Sequence, residues 1–334
     1  MISTLNSNLV EKIWTRETLI EMMEELFFKP FISQTNNSPI KLQKELAAGA
    51  GDTIYLNFIP KLSGEGTDGD DNVEGNEEAM NEYDFSMQIN QKRHAVKLKG
   101  RMEEQKTKIQ LRTKAKQLLG IWLAEITEKE CFRKLGGLTS YTFSNTPTAP
   151  SSNRIMYGGD ATSDSDIDSS DKMTLALIFK ISNKLKTLTP LFAPIRYKGK
   201  SWYVMLIHPR QRNDLFNDPD YIKFMSQVEV RGKENPLVSG ADAIVDNIII
   251  HVHNWVPTFS TWGSGGNLPG ARALVLGAQA LGYALGKDTG WVEEAFDYRN
   301  KWGICTGRIF GLQKIKFNSE DLAVLAVDTY AASI

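Results

Sequence analysis

The chain has 334 residues and a formal net charge of −1, with 39 Lys and Arg against 40 Asp and Glu, a balance that offers no general attraction to nucleic acid or anionic lipid. With 41% hydrophobic and 24% charged residues it is ordinary for a soluble folded protein long enough to bury a large core. Cys131 and Cys305 are too few for a disulfide framework, residues 1–10 lack a signal peptide, and no run approaches the ~20 apolar residues that span a bilayer.

Residues 1–15 are polar with scattered apolar positions and read as an arm. In 17–29, Leu19, Met22, Met23, Leu26 and Phe27 recur at helical spacing before Pro30, which predicts an amphipathic helix. Residues 53–60 alternate and predict a strand. The next segment, 61–84, carries nine acidic residues, one basic residue and four glycines, and cannot build a core of its own. Residues 85–101 alternate again and are rich in Lys and Arg. Strand, acidic tip and strand together predict a two-stranded projection, which is marginal alone and needs a surface to lie on.

Between 103 and 135 the period becomes helical, with Leu111, Ala115, Leu118, Leu119, Trp122 and Ile126 on one face and Gly136-Gly137 as the stop. Residues 139–171 read as a long surface loop. A second amphipathic helix is expected over 173–188, a buried strand over 201–208, a short helix over 214–226 and a strand over 246–255. A glycine-rich loop at 263–270 leads into an expected small-residue helix at 271–285, and 308–328 reads as two strands joined at Asn318-Ser319-Glu320-Asp321.

Motifs for chemistry are incomplete. The acidic run 68–72 begins like a calcium loop, but Val73 stands where the turn needs Gly and Ala79 where a bidentate Glu belongs. The run 164–168 fails likewise at Ser169 and Leu175. Gly282 to Lys287 resembles a phosphate loop one residue short, without the Ser or Thr that holds magnesium. His251 and His253 lie two apart on a strand and share a side, as a metal pair would. A metal-dependent hydrolase built on them is the alternative function, although only His94 and His208 remain as further imidazoles. No cofactor and no catalytic residue is assigned.

The remaining signal is charge layout. Ten Lys and Arg lie from 92 to 116, with only Glu103 and Glu104 among them, directly after the acidic tip. The candidate intersubunit contacts are Glu65, Asp68, Asp70, Asp71, Glu74, Glu77 and Glu78 on the tip, and Lys92, Arg93, Lys97, Lys99 and Arg101 on the stem. Complementary charges of this kind set register between copies, while two solvated faces are the plainer alternative.

Several runs carry a family resemblance. They are Arg196-Tyr-Lys-Gly-Lys-Ser-Trp202-Tyr-Val-Met-Leu-Ile-His-Pro209-Arg-Gln-Arg-Asn-Asp214-Leu, Asn235-Pro-Leu-Val-Ser-Gly240, Gly277-Ala-Gln-Ala280, Phe296-Asp-Tyr-Arg-Asn-Lys-Trp302-Gly and Leu325-Ala-Val-Asp328-Thr. With Lys61-Leu-Ser-Gly-Glu-Gly66 and Glu74-Gly-Asn-Glu-Glu78 they resemble, in order and spacing over residues 19–329, the major capsid proteins of N-four-type (enquatrovirus) tailed phages.

The resemblance implies an α+β Hong Kong 97-type phage capsid fold. Its expected parts are an N-terminal arm (1–51), an extended β-loop (52–102), a peripheral domain (103–198) with a spine helix at 103–135, an axial domain (199–305), and C-terminal strands (306–334) returning to the periphery. The implied function is a major head protein that self-assembles, as pentamers and hexamers, into an icosahedral shell around the genome. Its expected partners are other copies of itself, a separate scaffolding protein, a portal, decoration proteins and, non-specifically, packaged DNA, with assembly in the bacterial cytoplasm and no membrane. Another virion component is the third reading.

Overall fold

The computed structural model describes residues 18, 22, 25–48, 51–59, 62, 64–69, 71–80, 82–106, 111–140, 142–227 and 242–333. The arm at 1–15, Asp70 and the 235–240 motif lie outside the described residues. So do residues 17, 19–21, 23 and 24 of the helix expected at 17–29, of which Thr18, Met22 and Glu25 are helical while 26–28 are not.

The first described strands are two short ones, β1 (Ile32–Ser33) and β2 (Ile40–Gln43), followed by a helical turn, α1 (Glu45–Ala48). The predicted projection follows as an antiparallel pair, β3 (Thr53–Phe58) and β4 (Tyr83–Gln88), with the acidic segment as its tip. The strand expected over 85–101 is not continuous. It breaks at Ile89, and β5 (Asn90–Lys97) leaves the projection to pair with a strand more than 200 residues later in sequence. Helices α2 (Arg101–Lys106) and α3 (Leu111–Gly136) occupy the span expected to be a single helix, with 107–110 outside the described residues. Gly137, at φ +68°, ends α3; a Cβ there would sit 2.5 Å from the Thr148 carbonyl oxygen, so only glycine fits.

Most of 139–171 is loop, but it also holds β6 (Ile155–Tyr157). Helix α4 (Leu175–Thr187) forms as its apolar spacing predicts, its Thr174 hydroxyl capping the Leu177 N–H. Next come β7 (Ile195–Tyr197) and β8 (Lys200–Ile207). The single helix expected at 214–226 is two, α5 (Pro209–Phe216) and α6 (Pro219–Gln227), because each starts on a proline suited to a first helical turn. Strands β9 (Ala243–Val245), β10 (Ile248–Val252) and β11 (Thr258–Trp262) lead to β12 (Leu268–Leu276) and β13 (Leu281–Phe296). The helix expected at 271–285 is therefore wrong: those residues are β12 and the start of β13. The end of the chain is β14 (Lys301–Lys314), a small hairpin of β15 (Lys316–Phe317) and β16 (Glu320–Asp321), and β17 (Val324–Tyr330).

Two sheets organise these strands. One has the order β1-β2-β13-β14-β5; the other runs β6-β17-β12-β8-β10-β9, with β7 and β11 attached at its margins. In the second, β8, β10, β12 and β17 are near-continuous apolar runs because both faces are covered, so period-two alternation disappears. The first sheet carries α3 on one face: Ala115 and Leu119 meet Leu98, Trp291 and Ile304. Further along, Leu123, Phe132 and Leu135 enter the main core. Leu118, expected on the buried face, is 62% exposed.

The sheets do not respect the linear boundaries drawn from sequence. The border at 305/306 falls inside β14. Strand β17 lies between β6 and β12 in the larger sheet, so residues from the expected peripheral, axial and C-terminal segments share it.

Candidate assembly interface

The projection is fixed at its root and open at its tip. At the root, Ile54 and Met87 pack on Ala284 of β13. Asn145 clamps the last strand residue before the break: its Oδ1 accepts the Gln88 N–H at 3.0 Å and its Nδ2 donates to the Gln88 carbonyl at 2.9 Å. Lys134, buried near the end of α3, holds that loop by donating to the Phe143 carbonyl at 2.8 Å and to the Asn145 carbonyl. Burial pulls the Lys134 pKa down to about 8. The chain thus leaves the projection through a rigid joint.

Beyond the root, Glu65, Asp68, Asp71, Glu74, Glu77 and Glu78 are all exposed. Glu78 accepts the Gly64 N–H at 2.7 Å and Glu77 the Gly75 N–H at 2.8 Å, so local contacts shape the tip. Large apolar side chains share it: Val73 is 59% exposed and Met80 73%.

The stem is less available than its charges suggested. Lys92 is spent inside the chain, 3.2 Å from buried Glu130 and 4.6 Å above the Phe143 ring. Lys97 stands over Phe296, 4.5 Å from the ring centre. Arg93, Lys99 and Arg101 are exposed, and none forms an ion pair with another described residue. Among the described residues no ion pair joins tip to stem.

His251 and His253 do share a side, as their spacing required, but that side is an aromatic cluster. The His253 ring lies 4.7 Å from Phe27 and 4.8 Å from Phe132, and His251 meets Phe31 edge-on at 5.3 Å. The nearest carboxylate, Glu128, stands 3.7 Å from His253, and no cluster of three or more His, Cys, Asp or Glu suited to a metal occurs among the described residues. Buried Cys131 has its thiol pKa pushed up by burial, as suits packing.

Residues 3–333 match the family described as phage capsid protein. The chain belongs to the phage capsid protein family. It is 30% identical to the major capsid protein of Pseudomonas phage KPP25 across 96% of its own length and 95% of that protein's. The capsid of Ralstonia phage GP4 is similar in structure, with a TM-score of 0.85 and 29% identity over 92% of each chain. The Cyanophage Pam1 capsid shares the fold, at a TM-score of 0.78 and 21% identity over 92% of each chain. The fold is accordingly the Hong Kong 97 type. The chain is a structural major capsid protein of the virion that self-assembles into the phage shell, and its relatives are shell proteins rather than enzymes.

In the capsid protein several recognition motifs turn out to be internal fasteners. Gln211 donates to the Ala271 carbonyl at 2.9 Å and to the Thr329 hydroxyl at 2.8 Å, joining α5 to β12 and β17. Arg272 holds Asp328 and reaches the Gly136 carbonyl at 3.2 Å, tying the larger sheet to the end of α3. Phe296 to Lys301 form the tip of the β13–β14 hairpin, where the Asp297 carboxylate takes Lys301 at 3.2 Å and Asn300 at 3.4 Å. No sequence signal singled out Asn145 or Glu130, whose partners Gln88 and Lys92 lie far away in the chain, or Lys134, which donates to backbone carbonyls that carry no sequence mark.

The packed histidine gives the capsid protein an acid sensitivity. Burial holds the His253 pKa at about 4, against about 6.5 for an exposed histidine. Below pH 6.5 the unfolded chain binds a proton that the native state refuses, so stability falls as pH drops from 6.5 toward 4, by about 3 kcal/mol in full. Glu128, whose pKa burial raises, takes up a proton in the native state and offsets part of that loss. Urea unfolding of His253→Asn subunits, in which Asn can still accept the Trp255 N–H, should show a shallower pH dependence over this window. An unchanged slope would place the effect elsewhere.

Proposed function

We propose that the acidic tip between β3 and β4 is the extended loop by which one capsid protein engages the next, with Arg93, Lys99 and Arg101 among the cations that receive it. The observation carrying this reading is the separation just described: exposed acids on a firmly rooted projection, and exposed Arg93, Lys99 and Arg101 that form no ion pair with another described residue. Opposite charges on different copies then select register during assembly more than they add affinity. In the same proposal, the five-stranded sheet with α3 forms the peripheral domain and the larger sheet with α4–α6 the axial domain. The motif order supports placing the chain in the N-four-type group of its family. Pentamers and hexamers assembling in the bacterial cytoplasm around a separate scaffolding protein, with a portal, decoration proteins and loosely apposed DNA, complete the picture.

Replacing the acids of 68–78 with Ser tests the central point. Unassembled subunits should keep their melting behaviour, since exposed substitutions usually change stability by less than about 0.5 kcal/mol. Shell yield in sedimentation and electron microscopy should collapse. Normal shells from the variant would refute the reading. Expressing the chain alone tests the scaffold: uniform closed shells without a second protein would show that none is required.

A further inference from the structure

A second acid stands beside the Arg272–Asp328 pair of the larger sheet. Asp164, in the 158–171 loop, is half-buried, while Asp328 on β17 is fully buried. The two carboxyls lie within hydrogen-bonding reach of each other, and the Tyr157 hydroxyl of β6 is in reach of Asp164. Both Asp328 oxygens accept from Arg272. Asp164 Oδ1, although buried, accepts from no donor among the described residues. Two carboxylates facing each other across a single counter-charge repel. One proton between them leaves the Arg272–Asp328–Asp164 group neutral and supplies the missing donor; its loss leaves one excess negative charge out of reach of bulk water.

We propose that Asp164 and Asp328 share one proton and so form a latch, which holds the 158–171 loop to the larger sheet at acid pH and lets its middle go above neutral pH. Asp328 is fixed by Arg272, so the repulsion is relieved by Asp164 swinging into solvent. Its backbone moves with it: the Asp164 carbonyl accepts the Gly263 N–H at 2.9 Å, in the turn between β11 and β12. The ends of the loop stay fastened, because the Gly158 N–H donates to the Asp328 carbonyl and the Tyr330 N–H to the Asp171 carbonyl, each at 2.9 Å. Burial, with the Asp164 charge adding to it, lifts the Asp328 pKa to about 6 against the pull of Arg272. A carboxyl raised in the folded chain gives its stability below that value and loses it as pH rises through it. The other groups facing the pair keep their charge over this window. Burial pushes the Tyr157 hydroxyl above its ordinary value, and Arg272, despite burial, is held above its own by Asp328. Of the remaining acids in the loop, Asp160 is exposed, Asp166 accepts from Thr162, Asp168 from Ser170 and Asp171 from the Asp168 N–H.

Hydrogen exchange of unassembled subunits at pH 5 and pH 8, corrected for the intrinsic pH dependence of exchange, tests the latch. Amides of 160–167 and of Gly263 should lose about fivefold or more of their protection at pH 8, while those of α4 serve as the unchanged control. In Asp164→Asn the side-chain amide donates to the Asp328 carboxylate without needing the proton, so the loop should stay protected at both pH values. Asp164→Ser removes the second carboxylate and should also abolish the pH dependence, which keeps the test open if the Asn variant does not fold. Equal protection of the unaltered loop at the two pH values overturns the proposal. So does a loop that loosens with pH in both variants as it does in the unaltered protein, since the titrating group then lies elsewhere.

Discussion

Arg272→Met is expected to destabilise unassembled subunits by about 3–5 kcal/mol at neutral pH, the usual cost of removing one partner from a buried ion pair. Arg272 Nε lies 2.7 Å from one Asp328 oxygen and a terminal nitrogen 2.6 Å from the other, and both side chains are buried. Without the guanidinium, Asp328 has no counter-charge and the Gly136 carbonyl loses a donor. Burial already lifts the Asp328 pKa to about 6 with Arg272 in place, and its removal lifts it further. A native carboxyl with a raised pKa binds a proton that the unfolded chain releases near pH 4. Stability conferred by that proton is therefore lost as pH rises through the folded value, and the variant should suffer less at pH 5 than at pH 8. Arg272→Met with Asp328→Leu should recover much of the loss, because neither charge then needs burying. Urea unfolding of both variants at the two pH values decides the matter. A double variant as unstable as the single one would show that the pair serves packing rather than charge.

What could be read from the sequence follows a physical line. Strand β8 and helix α4 were legible because apolar runs and helical spacing are local signals, and the acidic tip because charge and glycine rule out a core there. Strand β12 was misread since Ala and Leu favour helix intrinsically, and only its place between β8 and β17 makes it a strand. The β13–β14 hairpin was missed for a related reason. Its glycines dilute the apolar pattern, yet they exist for close backbone contacts that appear only once the chain is folded. The break at Ile89 carries no Gly or Pro; it is set by β4 pairing with β3 while β5 pairs with β14. On the candidate interface, charge counting found the right segments and overstated the stem, because Glu130 and Phe296, which occupy Lys92 and Lys97, are distant in sequence.

Gly311→Ala should damage assembly more than any single change in the acidic tip. A Cβ at Gly311 would lie 2.0 Å from the Gln88 carbonyl oxygen, 2.9 Å from its carbonyl carbon and 3.2 Å from the Ile89 Cα. Every one of those neighbours is backbone, so no rotamer change relieves the clash, and β4 must lift away from β14. That movement strains the Asn145 clamp on Gln88 and re-aims the whole projection at its root. Overpacking of this kind costs about 1–3 kcal/mol, and the loss of aim acts on top of it. A hairpin pivoting at its base carries its tip through a far larger arc, while an acidic residue lost at the tip removes one contact among several. Subunits of the variant should still fold, with a lowered urea midpoint, yet give few or no closed shells in electron microscopy. Normal shells from Gly311→Ala would mean that the projection finds its neighbour by flexing rather than by being held at a set angle.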